Sequence, residues 1–241
     1  MDYKYSSVTN IGLKRLDNED SLGIFEIENG ILAVVCDGLG GNKAGDIASQ
    51  LSVNTVYEFF KSSTQNDYLE RIKLAITAAN NSILQKASTS NDLKGMATTI
   101  DVLFLLENTA YFGHVGDSRV YFLINGKLKQ LTKDHSLVQK LIDEGYLTPD
   151  EAEHHPNKNI IMRALGGNSE IDIDLSKITL DSSDKYLFFL CTDGVTAVVK
   201  DNELEELLAN YVNIKETLSD LIKQRGAPDN FTFVFITKNQ E

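Results

Sequence analysis

The chain has 241 residues, 42% hydrophobic and 24% charged. That is ordinary globular composition and excludes a disordered tail, a collagen and a coiled coil. Its formal net charge of −12 opposes docking on nucleic acid or anionic lipid, because both demand cations that neutralise phosphates. The apolar runs ILAVVC at 31–36 and YLFFLC at 186–191 have six residues each, whereas a membrane-spanning helix needs roughly 20. The opening MDYKYSSVTN lacks the basic-then-apolar layout of a signal peptide. A cytoplasmic location and no membrane partner are therefore expected. The acidic surplus has two readings: solubility, or carboxylates gathered at a divalent-cation site.

In chain order, strands are expected at Tyr3–Thr9, Ser21–Ile27 and Ile31–Cys36. A helix follows from about Ala44 to Lys61, with Ile47, Leu51, Val56, Phe59 and Phe60 on one stripe. The next, about Tyr68 to Ala87, places Leu69, Ile72, Ile76, Ala79 and Ile83 on one face with helical spacing. Strands resume at Thr98–Leu106, Thr109–Val115, Arg119–Ile124 and Lys127–Gln130. Asn125-Gly126 joins the last two as a two-residue hairpin. The polar, partly helical stretch of about 136–159 interrupts two β-rich regions and reads as an inserted surface element. Strands at Ile171–Leu180 and Lys185–Cys191, helices at Asp201–Tyr211 and Ile214–Arg225, and a strand at Phe231–Thr237 complete the chain.

ILAVVC and YLFFLC show no polar alternation, so both strands are expected to be covered on both faces. Helices in pairs between groups of strands indicate a layered sandwich within one domain, 1–241. A doubly wound parallel sheet would need regular β-α alternation, which is absent. Cys36 and Cys191 end the two runs and, without any CxxC or Cys/His zinc spacing, read as reduced core thiols. A bond between them stays open at this level.

Both apolar runs deliver an Asp-Gly at their tips, Asp37-Gly38 and Asp193-Gly194. Such an arrangement fixes a carboxylate rigidly at a sheet edge, although Asp-Gly alone also makes a plain turn. Glu19 and Asp20, Asp117, and Asp229 sit at other strand ends or turns. Carboxylates that converge repel unless they share protons or hold cations. An all-oxygen set without His or Cys suits Mg²⁺ or Mn²⁺ rather than zinc.

The ordered set RLDNED (15–20), CDGLGG (36–41), GMATT (95–99), GHVGDSR (113–119), TKDHS (132–136), MRALGG (162–167), CTDG (191–194) and GAPDNFT (226–232) resembles the PPM (2C-type) metal-dependent Ser/Thr protein phosphatases in their compact bacterial form. The resemblance implies an α+β fold, a four-layer α-β-β-α sandwich of two antiparallel sheets flanked by helices. It also implies a centre of two Mn²⁺ or Mg²⁺ ions, with a possible third. Asp37 would bridge the two metals, and the Gly38 carbonyl, Asp193 and Asp229 would bind them. Glu19 and Asp20 would act through water, Asp117 with Asp193 would form the third site, and Arg15 would clamp the substrate phosphate. The stretch 136–159 would be the family's flap. The implied reaction is hydrolysis of phosphoserine and phosphothreonine by a hydroxide that bridges the metals, with phosphoproteins and a Ser/Thr protein kinase as partners and a monomer as the default.

Departures from the family pattern are few. Leu39 stands where eukaryotic relatives carry a His proposed as general acid, which leaves the proton donor to a metal-bound water. Thr192 replaces a frequent Ser, and Ala197 a frequent Asp or Asn. His114 and His135 read as strand and loop residues, His154 and His155 as solvated, and Asp101 is unassigned. A phosphoprotein-binding pseudophosphatase would need a broken metal set. A phosphatase dedicated to an anti-sigma-factor antagonist would lack Arg15. A metallonuclease would need a basic groove.

Overall fold

The structure, a computed structural model, describes residues 3–39, 44–181, 184–210 and 213–238. Gly40 and Gly41 of the second motif, and Tyr211 at an expected helix end, lie outside them. Strands β1 (Tyr3–Asn10), β2 (Ser21–Ile27), β3 (Gly30–Cys36) and β4 (Gly38–Leu39) precede helices α1 (Gly45–Ser62) and α2 (Tyr68–Ala87). Then come β5 (Ala97–Thr98), β6 (Ile100–Leu106), β7 (Thr109–Val115), β8 (Arg119–Ile124) and β9 (Lys127–Gln130). The insert carries α3 (Leu137–Asp143) and α4 (Pro149–Glu153). The rest is β10 (Asp174–Thr179), β11 (Tyr186–Cys191), α5 (Asp193–Thr196), α6 (Asp201–Ala209), α7 (Ile214–Gln224) and β12 (Phe231–Lys238).

One sheet runs β1-β12-β11-β8-β9 and the other β10-β7-β6-β3-β2, with antiparallel pairing throughout the described ladders. The side-chain period of two explains the layering. In β3, Leu32, Val34 and Cys36 face α1 and α2, while Ile31, Ala33 and Val35 fill the space between the sheets. In β11, Tyr186, Phe188 and Leu190 meet them there, while Leu187, Phe189 and Cys191 face α6 and α7. Both strands are buried along their whole length, which is why neither shows polar alternation. The result is four layers, α-β-β-α. Cys36 and Cys191 lie in opposite outer layers, both buried and free, so the disulfide left open by the sequence is absent.

Local signals agree with this arrangement. Asp67 caps α2 by accepting from the amides of Leu69 and Glu70, a contribution of about 1 kcal/mol. Ile72, Ile76, Ala79 and Ile83 are its buried stripe. At the β8–β9 hairpin, Asn125 and Gly126 both take positive φ, 50° and 79°, the two-residue turn that matches strand twist.

Three elements differ from expectation. The strand foreseen at Thr98–Leu106 is interrupted at Thr99, whose hydroxyl accepts from the Asp37 amide at 2.9 Å instead of continuing the ladder. The strand foreseen at Ile171–Leu180 is shorter, Asp174–Thr179, the length that pairs with β7. A short helix, α5, begins at Asp193. In the insert, Ser136 caps α3, and Thr148 with Glu151 forms a capping box on α4. A Lys200–Glu153 ion pair ties α4 to the turn before α6. No described helix is long and apolar enough to cross a membrane.

Candidate functional site

The ends of β3 and β11 bring Asp37 and Asp193 to the same end of the sandwich, one from each sheet. The two carboxyls share a hydrogen bond. Burial pushes Asp37 well above the usual carboxylate range, and the charges of Asp193, Asp20 and Asp117 push the same way. Asp193 is raised by burial and by Asp229, while its bond to Asp37 and the charge of Arg15 oppose the shift.

Each acid is fixed by a neighbouring motif. Asp37 donates its amide to the Thr99 hydroxyl and accepts at its carbonyl from the Thr98 hydroxyl (2.8 Å) and the Thr99 amide (2.9 Å). Thr99 and Ser118 share a hydroxyl–hydroxyl bond of 2.8 Å. The Thr192 hydroxyl donates to Asp20 at 2.9 Å and accepts from the Thr232 amide at 3.0 Å. Burial raises Asp20 to about 7, with Thr232 and Thr192 opposing the shift. Asp117 is likewise raised to about 7 by burial and by Asp193.

Glu19, raised chiefly by burial, donates its amide to the Asn230 side chain at 2.9 Å. The same Asn230 donates to the carbonyls of Ile11 and Asp17 at 2.9 and 3.0 Å. One side chain thus bolts the loop carrying Arg15 to the turn carrying Asp229. Gly38 sits so close to the Glu19 and Gly45 carbonyls that a Cβ would overlap them. Arg15 bonds Asp229 at 2.6 Å and is roughly half exposed, so a face of its guanidinium stays open to a ligand. That hydrogen bond raises its pKa further.

Arg15, Glu19, Asp20, Asp37, Gly38, Asp117, Asp193 and Asp229 therefore belong to one electrostatic cluster at one end of the sandwich. Among the described residues no three of its side chains close about a single point. The donor set still fits hard divalent cations: all donors are oxygen, the carboxylates raise one another, and the buried Asp117 Oδ1 has no hydrogen-bond partner among the described residues. A cleft of about 740 Å³ runs from Asp117 and Asp193 under the insert to Ile142, Ala152 and Lys158.

Sequence reasoning did not single out Asn230 as a bolt, or the pairing of Asp101 with His114. Those two face each other in the β6–β7 register and bond at 2.7 Å, both buried. The alternation of β6 and β7 carried that signal, because facing residues on antiparallel strands meet. The His135 side chain is largely buried; it lies against His114, with ring centroids 4.6 Å apart, and bonds Gly116 beside Asp117.

A family model described as Protein phosphatase 2C matches residues 14–225. The serine/threonine phosphatase stp of Listeria welshimeri is 35% identical over 239 residues, covering 96% of this chain and 94% of that protein. The crystal structure of the Mycobacterium tuberculosis serine/threonine phosphatase PstP/Ppp superposes with a TM-score of 0.89 at 35% identity, covering 99% of each chain. The catalytic domain of PstP solved with two manganese ions superposes at 0.86 with 34% identity, again covering 99% of each.

Proposed function

The chain belongs to the protein phosphatase 2C family, and on that premise we propose that the cluster of Asp37, Gly38, Asp117, Asp193 and Asp229, with Glu19 and Asp20 acting through water, is its metal centre. The protein is a metal-dependent serine/threonine protein phosphatase. We read 1–241 as one catalytic domain and 136–159 as its flap. The substrates are phosphoproteins, and the reading extends to a Ser/Thr kinase as the opposing activity and to the cytoplasm as the location.

The observation that carries the site reading is the mutual elevation of Asp37, Asp193, Asp20 and Asp117 at one end of two sheets. Carboxylates so placed bind protons or cations in preference to standing charged together. Mn²⁺ or Mg²⁺ held there supplies Lewis-acid activation of water and neutralises phosphoryl charge. Arg15, charged and fixed by Asp229, presents paired N–H groups to the phosphoryl oxygens of the substrate. Thr98 and Thr99 hold the backbone of Asp37, and Thr192 holds the Asp20 carboxylate, so the site reorganises little on binding. Neither cysteine takes part: both are buried with thiols pushed up by burial, unlike a nucleophilic thiolate. Leu39 has no ionisable proton to donate, and the ring of His135 is engaged elsewhere.

The test is hydrolysis of para-nitrophenyl phosphate and a phosphothreonine peptide by metal-stripped protein, with and without Mn²⁺, beside Asp193→Asn. Activity that requires Mn²⁺ and is lost in the variant is expected. Unchanged turnover in Asp193→Asn would remove that residue from the metal centre.

A further inference from the structure

The loop that carries Arg15 is tied down along its backbone. The Leu13 amide donates to the Ala227 carbonyl at 3.0 Å, and the Gly12 amide to Asn10 Oδ1 at 3.0 Å. Gly12 takes a φ of +76° against the Asp229 carbonyl, where a Cβ would overlap it. Asn230 holds the carbonyls of Ile11 and Asp17, and the Asn18 side chain donates to the Thr9 hydroxyl at 2.9 Å.

The apolar side chains of this rigid loop stand in water. Leu16 is 92% exposed, Leu13 60% and Ile11 39%, three large apolar groups within residues 11–16. A single exposed leucine is ordinary, whereas a cluster of them marks a contact surface. A free loop turns such side chains inward; here the backbone bonds at both ends prevent that. The loop is therefore a preformed apolar surface, and a ligand that covers it meets little ordering cost in the protein.

Two cations stand between the leucines. Lys14 and Arg15 are both exposed, in a chain of net charge −12. Arg15 bonds Asp229 yet stays roughly half exposed, and Lys14 makes no ion pair among the described residues. A purely apolar partner face would desolvate these charges without pairing them, which is costly. A phosphoryl group with apolar neighbours satisfies both halves of the surface, because the phosphate takes charge-assisted hydrogen bonds and the neighbours cover the leucines.

We propose that Leu13 and Leu16, with Ile11 beside them, form a specificity surface for extended phosphopeptide segments in which the residues next to the phosphothreonine or phosphoserine are aliphatic. Leu16 follows Arg15 directly, and Leu13 precedes it by two residues. An extended peptide advances ~3.3–3.6 Å per residue, so with the phosphoryl group on Arg15 the immediate neighbours of the phosphoresidue are the ones that meet the leucines. Burial of apolar area on both partners supplies the preference. The inference deepens the proposed function and rests on its reading of Arg15 as the phosphate clamp.

Two phosphothreonine peptides, identical except for Leu or Ser on both sides of the phosphothreonine, test it on the Mn²⁺-loaded full chain. The kcat/KM of the Leu peptide is expected to exceed that of the Ser peptide by about tenfold, the effect of partly burying a leucine side chain. A ratio taken within one protein cancels differences in chemistry and metal loading. In the double variant Leu13→Ser, Leu16→Ser, with native circular dichroism, the ratio is expected to fall to about one, and Leu16→Met is expected to keep it. Equal kcat/KM for the two peptides in the wild type, or a preference that survives in the double variant, would overturn the surface. Sedimentation at assay concentration decides on another occupant: a wild-type dimer that dissociates in the double variant would show that a second copy of the chain covers the leucines, and would also overturn the proposal. Arg15→Ala is measured beside them. If it leaves KM for both peptides unaltered, the clamp reading fails, while the ratios still decide whether the loop reads the flanking residues.

Discussion

Asp37 and Asp193 stand at matching tips of matching strands, yet their surroundings differ. Asp37 is held through its backbone: its amide and carbonyl are bound by Thr98 and Thr99, and β4 follows at once to pair with β5. Asp193 opens the short helix α5, and the Thr192 before it reaches across to Asp20. The one tip is fixed by the strand beside it, the other by the opposite edge of the cluster. The bond between the two raises Asp37 and opposes the rise of Asp193, which the charges of Arg15 and Arg119 also oppose. Identical delivery by a buried strand thus leaves the two carboxylates in different surroundings.

The largest effect that can break this comparison is removal of either carboxylate. Asp37→Asn and Asp193→Asn are each expected to lower turnover by on the order of 100-fold or more, above what loss of a supporting group costs, while circular dichroism stays native. A variant that retains full turnover would show that its tip does not serve the site.

Arg15→Ala is next. Hydrogen bonds to charged groups contribute about 1.5–3 kcal/mol, so the KM for a phosphopeptide is expected to rise roughly 10- to 100-fold. Steady-state kinetics with KM and kcat both unaltered would remove Arg15 from the phosphate site.

The supports of the two tips can then be set against each other. Thr99→Val leaves the Asp37 amide without its acceptor, and Thr192→Val leaves Asp20 without its donor. Each is expected to cost about 1–3 kcal/mol in urea unfolding. A neutral result at either position would show that its tip is held by something else.

The smallest effect is a pH slope. Asp20 and Asp117 are raised from 3.8 to about 7 in the folded chain. The folded state therefore binds protons more tightly than the unfolded one. The stability so gained is full below pH 4 and is lost as pH rises through about 7. The Tm of metal-stripped protein is expected to fall by a few degrees between pH 5 and pH 8, and added Mn²⁺ to flatten the slope. A Tm that rises across that window without metal would contradict the burial of these acids.

Much of this architecture is legible in the residues. ILAVVC and YLFFLC announce strands covered on both faces, and the stripe of α2 and the Asn125-Gly126 turn announce themselves by period and turn chemistry. The carboxylates at strand tips mark one end of the sandwich before any coordinates. Contacts between residues distant in the chain are not legible in this way. The Arg15–Asp229 bond spans 214 positions, and Asn230 reaches Glu19 across 211, where no local pattern signals a partner. The helix α5 has four residues, too few to carry a helical period. His135 is a loop residue as read, but its bonds with Gly116 and Met162 are not legible, because those partners arrive from either side in three dimensions.

In the proposed reading, strand tips from two sheets build one binuclear centre. Electron paramagnetic resonance of the protein loaded with Mn²⁺ tests it most directly, because two ions ~3.5–4 Å apart interact magnetically. A spin-coupled pair is expected in the wild type and is expected to be lost in Asp37→Asn. A wild-type spectrum of isolated Mn²⁺ only, or a coupled pair that survives Asp37→Asn, would contradict it.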